Sequence, residues 1–458
     1  MKLALTAVNA RVVLLISLSL IVFIAGALRQ ADVVNGNMEA SDQSAYMEYA
    51  KDLRTSRFQS VGDRNRMPVY PGLMALFYRP GMTDDEFFTA GKRVGIATAI
   101  VVLITSFFIL TRYVQSIEAF SVIQVAAFTV FAYKAPYFQA DILFYGIAFA
   151  LFILMIELVL CPSLPRALAV GFLGGIAHLT KASVLPGLIL CWVCLLTRAV
   201  STNGYGITHR TNLTGPGNRQ EWRHRLQSVF YAGLSAFLFL VVIFPYIRTS
   251  KERFGRYFYN VNSTFYIWCD SWTEVVTGPR AHGDRLGWPD MPPEKIPSMG
   301  KYLREHTSRQ IAFRFVDGAS VIRKAVARSY GYASFVLIYF CVAVVLLWQN
   351  RTHFIAMARS ATNALLLVFL ALNFLIYFAL YSWYTPIVSG NRLVLGLFLP
   401  SMFCLVWVLD HARRNGLCFR VWDRQIQPSA ISPFVLITLV AYLLLVFPEQ
   451  ISKMAGGH

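Results

Sequence analysis

Residues 140–160 read ADILFYGIAFALFILMIELVL, and this stretch decides the fold. Asp141 and Glu157 are its only charged residues, and each lies near one end. A helix that crosses the hydrocarbon core of a bilayer needs about 20 predominantly apolar residues. The apolar residues here are continuous rather than alternating, and only helices and closed barrels pair all their backbone groups inside lipid. The stretch therefore predicts a membrane-spanning helix.

Similar runs recur along the 458-residue chain, which is 56% hydrophobic and 14% charged. Ordinary soluble domains contain about 25% charged residues. We predict an all-α polytopic membrane protein with about 11 transmembrane helices. The predicted spans are 11–28, 94–111, 119–133, 140–160, 167–180, 183–198, 227–247, 331–348, 361–382, 391–410 and 430–447. They form a single transmembrane domain, 1–458, with two long loops, 29–93 and 248–330, that contain interfacial helices.

The basic residues of the short loops indicate the orientation, because Lys and Arg are enriched in short cytoplasmic loops. The connections 198–226, 349–360 and 411–429 are rich in arginine, and the predicted spans place all three on one side. That side is predicted to be cytoplasmic, so 29–93 and 248–330 face outward. The first outer loop has nine acidic and nine basic residues, whereas the second is basic. Long loops are largely exempt from the charge rule.

The N-terminal apolar run has a second interpretation. Lys2, the run itself and Ala25-Gly26-Ala27 resemble a secretory signal with its cleavage site. However, the run is long for a signal, and an acid at Asp42 makes best sense if a retained helix holds it at the membrane. The retained helix is the favoured interpretation, with cleavage as the alternative.

The formal net charge of +18 would suggest a nucleic-acid partner in a soluble protein. No basic stretch is interleaved with aromatic residues as such binding requires, so nucleic acid is not expected as a partner. The charge instead suits cytoplasmic anchoring and attraction to the phosphate groups of membrane lipids.

Asp42 follows the first span closely, in the sequence Ser41-Asp42-Gln43-Ser44-Ala45-Tyr46. Ser41 could cap a short helix that begins here. On that helix Tyr46, Tyr49 and Leu53 would share one face, which suits the membrane interface. Asp42 would then be either a second capping residue or an acid presented at the membrane surface.

Arg66 stands at the entrance of a rigid turn, Arg66-Met67-Pro68-Val69-Tyr70-Pro71. Two prolines hold this turn, and a guanidinium so placed suits a phosphate group. The alternative is an interfacial arginine whose stem lies along apolar surface while its head reaches water.

Four further polar residues interrupt apolar runs: Asp141, Lys181, Arg248 and Arg392. An acid at the start of a helix also favours the helix dipole, so a structural role is open for Asp141. Ionisable groups at membrane depth are costly and are more often functional than not. The predicted topology places these four on the same outer face as the two features of the first outer loop. Such a site suits a lipid-borne phosphate, with a carboxylate near the reacting centre.

The order and placement of these motifs resemble the GT-C glycosyltransferases, in particular the branch that includes protein O-mannosyltransferases and the lipid A aminoarabinose transferase. The resemblance covers about 11–410. The shared features are an acid soon after the first span (Asp42), an Arg-x-Pro-x-x-Pro-like turn (Arg66 to Pro71), an acid-led fourth span (Asp141), a Leu179-Thr180-Lys181 turn, a Pro245-Tyr246-Ile247-Arg248 exit and a late Arg392.

The resemblance implies a glycosyltransferase that moves a sugar, with inversion, from a polyprenyl-phosphate donor to a hydroxyl of a lipid, glycan or protein acceptor. It implies Asp42 as the base and Arg66 as a contact of the donor phosphate. Lys181 and Arg392 would be further phosphate or sugar contacts, and Tyr46, Asp141 and Arg248 complete the candidate substrate-binding set. The resemblance places the site on the outer (periplasmic) or lumenal face. A bacterial inner (plasma) membrane is the expected location, because no retention signal is seen at the C-terminus.

Two features depart from the family pattern. Gln43 stands where many relatives carry a second acid, so no cofactor is certain and a divalent metal is left open. The second outer loop contains Trp268, Trp272 and Trp288 in no recognisable pattern. It is either an acceptor-side element or a set of interface anchors.

Two other functions compete with glycosyl transfer. A membrane transporter would need polar residues deep within several spans, but here the charged residues concentrate at span ends, with Glu157 as an exception. A polymerase or ligase of lipid-linked glycans would carry its catalytic residues in a late outer loop rather than in the first.

Overall fold

The computed structural model describes residues 10–59, 62–63, 65–200, 218–388 and 390–453. Most of the basic connection 198–226, including Arg210, lies outside these residues. In the N-terminal half the helices are α1 (Ala10–Val33), α2 (Gln43–Thr55), α3 (Val69–Ala75), α4 (Asp84–Leu110), α5 (Ser116–Ala126), α6 (Ala132–Lys134), α7 (Asp141–Leu160), α8 (Leu164–Thr180), α9 (Leu185–Val200) and α10 (Asn218–Phe254).

The C-terminal half is also helical, apart from one small antiparallel sheet in which β1 (Phe419–Val421) pairs with β2 (Arg424–Ile426). Its helices are α11 (Val261–Thr264), α12 (Trp272–Val275), α13 (Met299–Glu305), α14 (Ser308–Arg328), α15 (Tyr332–Gln349), α16 (Arg351–Ala358), α17 (Ala361–Tyr384), α18 (Arg392–Leu395), α19 (Phe398–Arg414), α20 (Ile431–Leu445) and α21 (Phe447–Gln450).

Within the described ranges, nine helical segments are long and apolar enough to cross a membrane. They are Leu14–Val33, Asp84–Leu110, Ser116–Lys134, Asp141–Leu160, Ala182–Val200, Arg225–Phe254, Tyr332–Gln349, Ala361–Tyr384 and Pro428–Leu445. The other two predicted spans correspond to the 17-residue helices α8 and α19. The prediction of an all-α polytopic membrane protein is confirmed.

Two spanning helices extend into the first outer loop. α1 continues to Val33, and α4 begins at Asp84, well before the predicted boundary at 94. Thr83 explains the early start of α4, because its side chain accepts a hydrogen bond from Glu86 N while the Glu86 carboxylate accepts one from Thr83 N. This capping box satisfies two N–H groups that a helix start would otherwise leave unpaired.

The short helix α8 packs closely against its neighbours through glycines. A Cβ atom added at Gly171 would lie 2.5 Å from the backbone oxygen of Ser235 in α10. At Gly175 it would lie 2.5 Å from the side chain of Val242 in the same helix. Small residues allow such approach between helices in lipid, where apolar burial between helices supplies little driving force. The close contact fixes the end of α8, from which Lys181 follows.

The helix ends that were predicted to be cytoplasmic contact one another. Arg414 Nη2 donates to Tyr113 O at 2.6 Å, although the two residues lie far apart in sequence. Gln349 at the end of α15 exchanges two hydrogen bonds with the backbone of Arg420 in β1, at 2.9 and 2.7 Å. These ends therefore gather on one side of the bundle, opposite to the residues of the candidate site.

Helix α2 packs inside the protein through the face that Tyr46, Tyr49 and Leu53 share. Tyr49 is 5% exposed and Leu53 is 1% exposed, and both join Tyr70 of α3 in a hydrophobic cluster that includes the start of α4. Burial of such side chains stabilises a fold by about 1.5–3 kcal/mol each. This cluster fixes the N-terminus of α2, where Asp42 lies.

The second outer loop folds around contacts of its own. Tyr259 donates through its hydroxyl to the backbone oxygens of Asp284 and Gly287. Arg314 of α14 is 8% exposed, and it donates to Asp270 Oδ1 at 3.0 Å and to Trp383 O at 3.1 Å. These bonds tie the loop to the end of α17.

Candidate functional site

Asp42 lies at the first position before α2, and its backbone has an unusual conformation. Ser41 and Asp42 have φ angles of 59° and 69°, in the left-handed region. Non-glycine residues there cost on the order of 1–3 kcal/mol each and persist where the surroundings enforce them. Here the Gln139 side-chain amide donates to Ser41 O. Asp42 makes no side-chain capping bond, so the capping interpretation is wrong and the carboxylate faces other partners.

Gln43 is fully buried and ties the start of α2 to two other segments. Its Nε2 donates to Asn35 Oδ1 at 2.8 Å and to Asn37 O at 3.1 Å. Its Oε1 accepts from Asn35 Nδ2 at 2.9 Å and from Phe138 N at 2.8 Å. A primary amide has two donor hydrogens and one acceptor oxygen, and all of them are used. An ionised carboxylate at this position could not donate hydrogen bonds to Asn35 Oδ1 and Asn37 O, which explains why an amide suits the position.

Arg66 contacts the Asp42 carboxylate across the first outer loop. Its Nη2 lies 3.2 Å from Asp42 Oδ1, and its side chain is 13% exposed. Its Nη1 lies 3.6 Å from Asp63 Oδ2 and donates to Asn65 Oδ1 at 3.0 Å. The Asp63 carboxylate also accepts from Arg66 N at 2.9 Å, which fixes the turn. The Arg66 side chain is therefore enclosed by the protein, and its guanidinium faces an acid. This placement disagrees with the interpretation of Arg66 as an interfacial arginine whose head group is solvated by water.

Asp141 and Lys181 form a short ion pair between α7 and the end of α8. Lys181 Nζ lies 2.7 Å from Asp141 Oδ1, and the Asp141 side chain is 5% exposed. Asp141 Oδ2 is buried and has no hydrogen-bond partner among the described residues. Removal of water strengthens such a pair but makes the loss of one partner costly.

Arg392 joins the two acids. Its Nη1 lies 3.4 Å from Asp42 Oδ2, and its Nε lies 3.9 Å from Asp141 Oδ2. It belongs to the short helix α18 rather than to a spanning helix that begins at 391, because α19 starts only at Phe398. Tyr145 of α7 donates to Arg392 O at 3.1 Å and holds this turn in place. The outer charge cluster consists of Asp42, Arg66, Asp141, Lys181 and Arg392.

Tyr46 lies beside the outer charge cluster. The Arg66 guanidinium lies 5.5 Å from the centre of its ring, and the Tyr70 ring meets it edge-on at 5.5 Å. Burial raises the pKa of Tyr46 to about 12, and Arg392 opposes this shift. The phenol is therefore neutral at physiological pH and available as a hydrogen-bond donor.

Arg248 does not join the cluster. Its Nε lies 2.9 Å from Glu252 Oε1, and its side chain is 71% exposed. Helix α10 continues to Phe254, so the end of the apolar run at 247 is not the end of the helix. Arg253, further along the same helix, donates to Gly62 O instead and reaches the first outer loop.

A cavity of about 570 Å³ opens beside Asp42, between the two outer loops. We call it the outer cavity. Its lining comprises Glu39, Asp42, Ser44, Ala45, Glu48, Gly62, Asp63, Arg66, Arg253, Phe254, Arg280, Arg285 and Leu286. Sequence reasoning missed Arg253, Arg280 and Arg285 as members of this region. The excess of basic residues in the second outer loop was the sequence signal for these three arginines.

Lys134 is a further cation that sequence reasoning missed. It ends α6, and its Nζ lies 5.5 Å from the centre of the Tyr137 ring and 5.8 Å from that of Tyr330. Asp141, Arg392 and Lys181 are all close enough to interact with it electrostatically. A lysine that ends an otherwise apolar helix was the sequence signal for this position.

The described side chains do not form a donor set for the divalent metal that the sequence left open. Within the described ranges, no three His, Cys, Asp or Glu residues gather in a way that could hold a metal ion. The two carboxylates of the cluster face guanidinium and ammonium groups, and the Gln43 oxygen is occupied by two N–H donors. Hard cations require several oxygen ligands directed at one point.

Comparison with known proteins gives one distant likeness in structure. No family model matches the chain, and no curated protein matches it in sequence. The crystal structure of ArnT from Cupriavidus metallidurans in the apo state aligns with 83% of this chain and 78% of its own, at 16% identity and a TM-score of 0.34. At that level of similarity, the assignment of a function depends on the geometry of the outer charge cluster.

Proposed function

We propose that this protein is a glycosyltransferase that moves a sugar from a polyprenyl-phosphate donor to an acceptor hydroxyl, with inversion, on the outer face of a bacterial inner membrane. The observation that carries the proposal is the outer charge cluster. Residues from the first outer loop, α7, the end of α8 and α18 converge there beside an open cavity. A base and several cations at a membrane interface are what transfer from a lipid phosphate requires.

The charges of this region favour an anion. Lys134 and Asp63 stand beside the outer charge cluster, so four cations face three carboxylates. The excess of positive charge suits the phosphate of a lipid-linked donor, and planar guanidinium groups bind phosphate oxygens in pairs. We assign the donor phosphate to Arg66, with Lys181 and Arg392 as additional contacts.

Asp42 is the acid best suited to take a proton. Its side chain is 50% exposed, whereas that of Asp141 is 5% exposed. The N–O distances of 3.2 and 3.4 Å to Arg66 and Arg392 are longer than the roughly 2.7–2.9 Å of a strong charged hydrogen bond. A donor phosphate that engages these guanidinium groups would weaken their hold on Asp42 and leave its carboxylate to the acceptor.

The proposed reaction is a single displacement. The acceptor oxygen attacks the anomeric carbon and gives its proton to Asp42 as the new glycosidic bond forms. The bond between the anomeric carbon and the phosphate oxygen breaks, and the phosphate leaves with the electron pair while Arg66 offsets its charge. Attack opposite to the leaving group inverts the anomeric centre. The second outer loop, 248–330, forms the acceptor side.

A panel of polyprenyl-phosphate sugars tests the proposal. Purified protein should be stabilised against heat by its true donor, because stabilisation grows with the logarithm of ligand concentration over Kd. It should also release free polyprenyl phosphate, slowly with water and faster with an acceptor. Donor binding without cleavage under any acceptor condition would contradict the proposal and favour a transporter. Cleavage that depends on residues of a late outer loop would favour a polymerase or ligase.

A further inference from the structure

Most of the acidic and basic residues that line the outer cavity come from different loops. The carboxylates Glu39, Asp42, Glu48 and Asp63 all belong to the first outer loop. The guanidinium groups other than Arg66 all belong to the second outer loop, 248–330. A bound molecule with an anionic group would therefore be repelled from one wall and attracted to the other, which would orient it.

Arg280 and Arg285 are the cations of this wall without an assigned role. Arg253 already donates to Gly62 O. Arg280 and Arg285 line the same cavity as several acids. However, no carboxylate of the described residues lies within ion-pair distance of either arginine. A solvated surface arginine is the ordinary alternative. Arg280 also lies over the Trp272 ring, with its guanidinium carbon 5.9 Å from the ring centre. Two guanidinium groups in one cavity, neither of them in an ion pair with a described carboxylate, instead provide the fork geometry that phosphate oxygens accept.

The backbone around Arg285 is held in place before any ligand arrives. The hydroxyl of Tyr259 donates to the backbone oxygens of Asp284 and Gly287, one on each side of Arg285 along the chain. Tyr259 is 1% exposed and Asp284 is fully buried. Gly283 and Gly287 have positive φ angles of 80° and 132°, which allow the tight turn. A preformed turn lowers the entropy that a ligand must overcome on binding.

We propose that Arg280 and Arg285 bind a phosphomonoester carried by the acceptor, close to the hydroxyl that receives the sugar. This inference rests on the proposed function, since an acceptor must enter the outer cavity to bring its hydroxyl to Asp42. The first outer loop then presents the base, and the second outer loop binds the anionic group of the acceptor. The phosphate could belong to a membrane glycolipid or to a soluble glycan, and the chemistry recognised is the same.

Binding of small probes tests the inference without a donor. We would measure the Kd of hexyl glucoside, hexyl glucoside 6-phosphate and glucose 6-phosphate for protein in lipid nanodiscs. Wild-type protein should bind the phosphorylated hexyl glucoside at least about 10-fold more tightly than the neutral one, as expected for charged hydrogen bonds. The R280Q/R285Q variant should lose this difference. The matched control R304Q/R309Q removes two exposed arginines of the same loop that do not line the cavity, and it should keep the difference.

Equal affinity of wild-type protein for the two hexyl glucosides would overturn the inference, as would an undiminished phosphate preference in R280Q/R285Q. The donor panel is a separate readout. A phosphate preference without any donor cleavage would support the anion site and contradict glycosyl transfer. Donor cleavage without a phosphate preference would support glycosyl transfer and contradict the anion site. Tighter binding of hexyl glucoside 6-phosphate than of glucose 6-phosphate would identify a lipid acceptor, and equal binding would identify a soluble one.

Discussion

Lys181 Nζ lies 2.7 Å from Asp141 Oδ1 and joins the end of α8 to the start of α7. The neighbouring acid of the outer charge cluster, Asp42, is held at longer distances and is half exposed. Asp141 is therefore the buried and tightly paired carboxylate of the cluster, whereas Asp42 is the more exposed and more loosely held one.

Loss of Lys181 should destabilise the protein. Lys181→Met leaves the Asp141 carboxylate buried with only the more distant cations Arg392 and Lys134 to offset its charge, and breaking a buried pair costs about 3–5 kcal/mol. Thermal unfolding in detergent should show a lower Tm. The double variant with Asp141→Asn should recover part of the loss, because it no longer buries an uncompensated charge. Losses that simply add in the double variant would contradict a direct pair.

Loss of the Asp42 charge should affect transfer and not stability. Asp42→Asn should lower the transfer rate by about 10²–10⁴-fold, the usual contribution of a positioned base. The Tm should stay near the wild-type value, because partly exposed ion pairs contribute only about 0–1 kcal/mol. Asp52→Asn, on the exposed side of the same helix, is the control and should transfer normally. Near-normal transfer by Asp42→Asn would remove the assignment of the base.

Gln43→Glu should be destabilising. The new carboxylate would face Asn35 Oδ1 and Asn37 O, which now accept hydrogen bonds from the Gln43 amide. Leaving buried groups unsatisfied costs about 1–3 kcal/mol each, and more when one is charged. Thermal unfolding and transfer should both be measured with and without Mg²⁺. A stable variant whose activity depends on the metal would show that position 43 is a ligand site.

Arg66→Gln should weaken donor binding. The guanidinium is enclosed next to Asp42, and a lost charged hydrogen bond costs about 1.5–3 kcal/mol, or roughly 10-fold or more in Kd. The measurement is the increase in Tm with donor concentration. Arg54→Gln, at an exposed position of α2, should bind the donor like the wild-type protein. Unchanged donor affinity in Arg66→Gln would move the phosphate site to other cations.

Most of the outer charge cluster could be predicted from the sequence because a spanning helix has only two ends. Once the apolar runs were placed, Asp141 and Lys181 had to lie on the same face as the first outer loop. The structure brings both together with Asp42. Contacts between residues so far apart in sequence can be predicted here because each end of a spanning helix must lie on one of the two faces of the bilayer.

Other parts of the site could not be predicted in the same way. Arg248 was placed by the end of its apolar run, but α10 continues to Phe254 as a polar helix and turns Arg248 towards solvent. Arg280 and Arg285 lie in short helical turns without periodicity, so no pattern indicated which side chains would face the cavity. The left-handed backbone at Asp42 depends on contacts such as that of Gln139, which local sequence does not reveal.

The pairing of Asp42 with Arg392 links residues that are 350 positions apart. Ribosomes add about 5–20 residues per second, so the acid leaves the ribosome roughly 20–70 s before its arginine does. Throughout that interval the growing chain contains Asp42 but lacks Arg392. If the proposed function is right, a truncated product that ends before α18 would contain the proposed base without its arginine partner, and the site would be complete only near the end of synthesis.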